Sequence, residues 1–210
     1  MVSFVPAEMA DAAPYHLLTS IIAPRPIAWI ATIGADGVPN LAPFSFFNVV
    51  CAKPPTILFC PMIRSTDGEQ KDTFNNVKAT GEFVVNILSE DLAYKMVATS
   101  VEIAADVNEF ELVGLKTMPS IVVKPPRVAE SPIHFECKLT QIVEIGNNPG
   151  GGSVVIGEIV HLHVDERVLF GGDKIDLAAL KPIGRLAGSA YVRVTDLFEM
   201  ERPKSQIPKK

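Results

Sequence analysis

The sequence predicts a mainly β protein, an antiparallel barrel with peripheral helices in preference to a doubly wound sheet. Three observations predict it. Stretches with strand character outnumber helical ones and are joined by short turns. From His134 to Ile145 the odd positions are mostly apolar (Phe135, Cys137, Leu139, Val143, Ile145) and the even ones mostly polar (His134, Glu136, Lys138, Thr140), the period of a half-buried strand. Of the 210 residues 48% are hydrophobic and no Pro/Gly/Ser linker interrupts them, so the chain can bury one sizeable core and reads as a single domain over 1–210.

In chain order, residues 1–18 read as an N-terminal leader lying on the domain. Ile21 to Pro26 is an extended lead-in, because Pro24 and Pro26 exclude a helix there. Ile27 to Ile33 is a strongly apolar strand that carries the only tryptophan, Trp29. Gly34-Ala35-Asp36-Gly37 is a turn signal, so this strand and the Asn40–Asn48 stretch form a hairpin. Lys53-Pro54-Pro55 is a second break, and Thr56 to Met62 the next strand. Arg64 to Lys71 is a polar loop. Asp72 or Thr73 then caps a short helix through Phe74 and Val77 to Thr80, which Gly81 ends in the left-handed stop position.

Phe83 to Leu88 is a further strand. Ser89 caps a second helix with Glu90 and Asp91 in its first turn and Leu92, Met96 and Val97 facing inward. Asn108 to Gly114 supplies one more helical turn. Gly146 to Ser153 is a turn-rich loop, and Val154 to Val164 a partner strand with Val160, Leu162 and Val164 on one face. Asp176 caps a short helix ending at Pro182. Residues 203–210, with Arg202, Lys204, Lys209 and Lys210 nearby, read as a solvated C-terminal tail.

Two stretches carry candidate chemistry. In Asn40-Leu41-Ala42-Pro43-Phe44-Ser45-Phe46-Phe47-Asn48, Pro43 removes a ladder donor and three aromatics surround Ser45 between two asparagines. A flat heteroaromatic ligand wants apolar faces with hydrogen bonds along its edge, and this segment offers both. A bulged edge strand beside a core cluster has the same local composition. The second stretch, Arg64-Ser65-Thr66-Asp67-Gly68-Glu69-Gln70-Lys71-Asp72-Thr73, ends where a helix begins. A helix N-terminus presents unpaired N–H groups to an anion; Arg64 and Lys71 add full charges and Thr73 a hydroxyl. A solvated loop before a capped helix is the plainer alternative.

Magnitudes show why a phosphate-bearing aromatic ligand needs both features. Charge-assisted hydrogen bonds contribute roughly 1.5–3 kcal/mol each, and association costs about 4–15 kcal/mol. Burying a ring of indole size or more removes ~150–250 Å² from water, worth ~4–6 kcal/mol.

Other features exclude function classes. The formal net charge of -5 gives no general basic character, so no nucleic-acid partner is expected. No apolar run spans a bilayer and the N-terminus has no signal-peptide pattern, so no membrane partner is expected. Cys51, Cys60 and Cys137 form neither a disulfide framework nor a metal pair, and a reduced, cytoplasmic protein is the expectation. Gly146 to Ser153 precedes a strand and reads as a hairpin loop, not a phosphate loop. His161 and His163 share a strand face without a third metal ligand, so no metal site is expected. His134 reads as a surface histidine at a strand end, with service to a nicotinamide or a proton as the alternative, Cys51 as an inert thiol, and Arg25 and Arg185 as surface ion-pair partners or contacts to a ligand or second subunit. Tyr191 would either cover a bound ring or pack against a second subunit.

The chain resembles the flavin reductase-like family of FMN-binding split barrels, the branch with flavoredoxin and the reductase components of two-component monooxygenases. The resemblance runs from about Thr19 to Pro203. It rests on Ala23-Pro24-Arg25-Pro26-Ile27-Ala28, Asn40 to Asn48, Pro54-Pro55 and Lys71-Asp72-Thr73. Val85-Asn86, Glu136-Cys137, Ile156-Gly157-Glu158 and Gly184 to Tyr191 add to it.

The resemblance implies a six-stranded antiparallel split β-barrel and a homodimer with FMN near the subunit interface. Asn40, Ala42, Ser45, Phe46 and Asn48 would line the isoalloxazine and ribityl chain. Arg64, Lys71 and Thr73 would hold the phosphate; Pro43, Phe47 and Asp72 complete the cofactor-binding set. No side-chain catalyst is implied, because the redox chemistry belongs to flavin N5, which takes hydride from NAD(P)H. Backbone amides of Ser45–Asn48 would stabilise negative charge at the pyrimidine edge. Electrons would pass to an acceptor or a partner monooxygenase. The alternatives are a flavoredoxin-like electron carrier that does not use NAD(P)H, and a non-catalytic ligand-binding split barrel.

Overall fold

The computed structural model describes residues 1–207. Helix α1 (Ala13–Ile21) precedes β1 (Ala28–Ile33), an apolar run buried on both faces. Successive side chains of a strand point to opposite faces. Ala28 and Ile30 thus join a cluster with Phe44, Phe59, Phe74 and Phe83, while Trp29 and Ala31 join a second with Leu41, Met96 and Phe110. Both faces being covered is why this strand reads as continuous hydrophobicity and not as alternation. The Trp29 indole N–H donates to Thr99 Oγ1 at 2.9 Å, so the ring is buried without an orphaned donor.

The chain continues through β2 (Pro39–Phe44), β3 (Phe47–Ala52), β4 (Pro55–Phe59), α2 (Asp72–Thr80), β5 (Glu82–Ile87), α3 (Ala93–Ala98) and α4 (Glu109–Leu112). The short strands β6 (Thr117–Met118) and β7 (Arg127–Val128) pair with each other, and the two long strands β8 (Ile133–Ile145) and β9 (Gly152–Val164) form a hairpin. Asp176 caps α5 (Leu177–Leu180), accepting from the N–H groups of Ala178 and Ala179.

The main sheet has the order β2-β1-β5-β8-β9-β4-β3, and every neighbouring pair is antiparallel. Its two edge strands, β2 and β3, are consecutive in the chain and separated only by Ser45 and Phe46. A sheet whose opposite edges are two residues apart must roll until those edges lie side by side. They do not pair with each other, and that open seam makes the barrel a split one. The expected six strands become seven, because the chain turns at Ser45-Phe46 and β3 is a separate strand. Pro39 and Pro43 both fall on edge strand β2, where a missing donor costs no interior ladder bond.

Several local expectations change. Helix α1 begins inside the 1–18 leader and runs on to Ile21, the first residue of the expected extended lead-in. Lys71, not Asp72 or Thr73, holds the N-cap position of α2, and no side chain caps it. Ser89 makes no capping bond either; it precedes a 3-10 turn (Glu90–Leu92) that runs into α3, and Val97 faces outward. Gly81 ends α2 at φ 71°, as its position implied. Lys209 and Lys210 of the expected tail lie outside the described residues.

His134 is buried, not superficial: it bonds to the carbonyl of Val128 at 2.8 Å through Nε2. Neighbouring Glu136 is wholly buried and accepts N–H bonds from Ile121, Val122 and Val123 at 2.8, 2.6 and 3.1 Å, and meets His163 Nε2 at 2.7 Å. The start of the polar face of β8, at His134 and Glu136, is therefore covered, and the 121–123 segment is clamped on the Glu136 carboxylate, while Lys138 and Thr140 further along stay exposed. Burial alone would raise the Glu136 pKa, but these hydrogen bonds bring it down to about 2.

Candidate functional site

The β1–β2 register places Thr32 directly opposite Asn40. Asn40 Nδ2 donates to Thr32 Oγ1 at 3.3 Å and to Thr73 Oγ1 at 2.9 Å, and Asn76 Nδ2 donates to Thr32 Oγ1 at 3.1 Å. This buried amide–hydroxyl network pins the first turn of α2 against the β1–β2 hairpin. The two stretches singled out in the sequence thus meet. Phe74 and Val77 on the inner side of α2 bury into the barrel core and fix the helix axis.

Around this junction lies a cavity of about 100 Å³. Asn40, Ala42 and Pro43 of β2 form one wall, and Arg64, Lys71, Asp72 and Thr73 another. The facing wall, which sequence reasoning missed, is Thr99 to Ile103 after α3, with Glu109 of α4. Beyond Arg64, Asp72, Glu102 and Ile103, which line both, lies an adjoining groove of about 440 Å³. Nothing in the sequence sets Thr99–Ile103 apart, and Glu109 looks there like an ordinary first-turn acid. In the structure the Glu109 carboxylate is buried and accepts from the Leu41 N–H at 3.0 Å, covering part of the open edge of β2. Burial raises its pKa, opposed by that N–H bond.

The donor set fits a phosphate monoester. The N–H groups of Asp72 and Thr73 have no carbonyl partner within α2. Thr73 Oγ1 already accepts from Asn40, so its own O–H remains to donate, and no acceptor for it occurs among the described residues. Arg64 and Lys71 supply charge, held in place by acids. Arg64 Nη2 lies 3.0 Å from Asp67 and Nη1 3.5 Å from Asp72, and Lys71 Nζ lies 3.7 Å from Glu102. Asp72 is thus an arginine partner at the helix start.

Ser45, Phe46, Phe47 and Asn48 do not line this cavity; they follow Phe44 at the corner between the sheet edges. Phe47 packs on the inner core, and Asn48 Oδ1 accepts from the Val49 N–H at 2.8 Å. Ser45 Oγ accepts from Arg25 Nε at 3.2 Å, and the Arg25 guanidinium carbon stands 5.8 Å from the centre of the Phe46 ring. Arg25 is no surface ion-pair residue. It is buried and also donates to the carbonyls of Thr19, Ile22 and Leu186 at 2.6, 2.9 and 3.1 Å, bracing the corner against α1 and the hairpin in which Ile183–Arg185 pairs with Tyr191–Arg193. Arg185 stacks over Tyr191 at 4.6 Å and donates to Ala190 O, with no acid partner among the described residues. No group of three potential metal ligands occurs among the described residues.

Fold and site define an antiparallel split barrel with a cavity, lined by Arg64, Lys71 and Thr73, where the N-terminus of α2 meets edge strand β2. The chain belongs to the flavin reductase-like family: the model of the flavin reductase like domain matches residues 21–175. It superposes on nitrilotriacetate monooxygenase component B of Bacillus cereus with a TM-score of 0.90 and 36% identity, over 95% of this chain and 98% of that one. The 2-nitrobenzoate 2-nitroreductase NbaA of Pseudomonas fluorescens gives 0.85 and 30%, over 99% of each chain. An uncharacterized protein of Aquifex aeolicus is 40% identical over 90% of this chain and 94% of its own length. Flavoredoxin of Desulfovibrio vulgaris, at 22% identity and a TM-score of 0.73 over 95% and 97% of the chains, shares the fold.

Proposed function

We propose that this chain is a single-domain, homodimeric, cytoplasmic FMN-binding oxidoreductase that reduces its flavin with NAD(P)H. The observation that carries the reading is the convergence of Arg64, Lys71, Thr73 and the α2 N-terminus on one cavity with the Ala42-Pro43 wall. When bound, the flavin supplies the redox chemistry by accepting hydride at N5.

The chain's residues bind and orient it. Arg64 and Lys71 neutralise the phosphate, Thr73 donates its free hydroxyl proton, and Asn40 fixes that hydroxyl's direction. Asp72 holds Arg64 in reach. Ala42 and Pro43 offer an apolar wall to the ribityl chain and ring. Ser45 to Asn48, with Phe46 braced by Arg25, offer backbone donors to the pyrimidine edge. The homodimer is supported by apolar surface left open on β3 (Val49, Val50) and on α1 with its end (Leu18, Ile21, Ile22). The component B and nitroreductase relatives support an oxidoreductase that passes electrons onward, to a partner monooxygenase or a small organic acceptor.

Anaerobic mixing of the flavin-loaded protein with NADH, then with NADPH, tests the activity. The reading expects bleaching of the oxidised flavin band by at least one nucleotide. Flavin that stays oxidised with both, yet bleaches with dithionite, contradicts it in favour of an electron carrier.

A further inference from the structure

The cations of the anion seat are already engaged. Arg64 is gripped by acids of its own segment: Asp67, whose carboxylate also accepts the Glu69 N–H and closes the turn, and Asp72 at the start of α2. These acids shape the loop. Glu102 differs. It comes from the facing wall, its Oε1 lies 3.7 Å from Lys71 Nζ, and its Oε2 accepts from Thr66 Oγ1 at 2.6 Å. Its carboxylate makes no backbone hydrogen bond among the described residues; its polar contacts cross the cavity, one oxygen facing Lys71 and the other held by Thr66. Both side chains are about one-third exposed, at 32% and 36%, and a pair so solvated contributes little and is readily exchanged.

A phosphate dianion entering this cavity meets the Glu102 carboxylate as a like charge and as a rival for Lys71. We propose that Glu102 is an internal counter-ion of the seat: it occupies Lys71 when no ligand is bound, yields it to the ligand phosphate, and thereby sets the preference for phosphorylated over unphosphorylated flavin. This rests on the phosphate seat proposed above. Glu102 is then a specificity-determining residue whose charge, not its shape, matters.

The test is fluorescence-quenching titration of the flavin-free protein with FMN and with riboflavin, in wild type, Glu102→Gln, Glu102→Ala and Arg64→Ala. Freeing Lys71 and removing a like charge near the dianion should lower the FMN dissociation constant about threefold to tenfold in both Glu102 variants, with riboflavin unchanged. Inorganic phosphate should become a better competitor of FMN in the same variants. FMN affinity that is unchanged or weaker in Glu102→Gln, or an equal shift for riboflavin, overturns the proposal. If the Glu102 variants fail in this way while Arg64→Ala still weakens FMN, only the role of Glu102 is lost and the seat stands. If wild type binds both flavins equally and Arg64→Ala alters neither, the seat itself is refuted, and the proposal with it.

Discussion

Asn40 Nδ2 donates to Thr73 Oγ1 at 2.9 Å, across 33 positions of sequence. This bond joins the proline-broken edge strand to the helix N-terminus. It also orients the Thr73 hydroxyl by occupying one of its two lone pairs, and leaves the proton to donate. Thr73→Val keeps the side-chain volume and removes that donor. A hydrogen bond to a charged group contributes about 1.5–3 kcal/mol, so FMN affinity should fall tenfold or more. Riboflavin affinity should hold, and paired fluorescence titrations check both.

Stability should depend on His134 between about pH 6.5 and pH 4. Burial lowers its pKa from 6.5 to about 4, so in this window the unfolded chain takes up a proton that the folded chain does not. Stability is therefore present above the unfolded pKa and lost as pH falls through the window, by up to about 3 kcal/mol. Glu136 acts in the same direction further down, from its ordinary 4.5 towards about 2. Urea midpoints across pH should show a shallower decline above pH 4.5 in His134→Gln than in wild type. Parallel curves would remove the burial argument.

Much of this architecture was legible because local rules and tertiary packing agree. Apolar β1, the Gly34–Gly37 turn, the Gly81 stop and the β8–β9 pairing all formed as their patterns imply. The proline break at Pro43 correctly marked an edge, and the cationic stretch before α2 lies beside it in space. The rest depends on long-range contacts that no local pattern encodes. Val49 and Val50 are apolar yet exposed on β3, so the seventh strand was not anticipated. His134 and Glu136 occupy positions that alternation assigns to solvent, but the N–H groups of Ile121 to Val123 cover that face. The Thr99–Ile103 wall reaches the site only through tertiary packing.

Gly157 lies against a fully buried ring. A Cβ there would come within 2.5 Å of Phe83 Cζ and 3.2 Å of the Lys138 carbonyl oxygen. Overpacking of this kind costs about 1–3 kcal/mol. Gly157→Ala should lower the urea midpoint accordingly with an unchanged slope; a loss below about 0.5 kcal/mol would show that the β9–β5 approach is looser than described.

The phosphate seat is tested most directly by the FMN dissociation constant of the Arg64→Ala/Lys71→Ala double variant beside wild type. Riboflavin serves as the unphosphorylated control, and circular dichroism checks that the barrel is intact. With two charge-assisted contacts removed, FMN binding should weaken by at least about tenfold while riboflavin binding stays where it was. FMN affinity equal to wild type in a folded double variant would contradict the assignment.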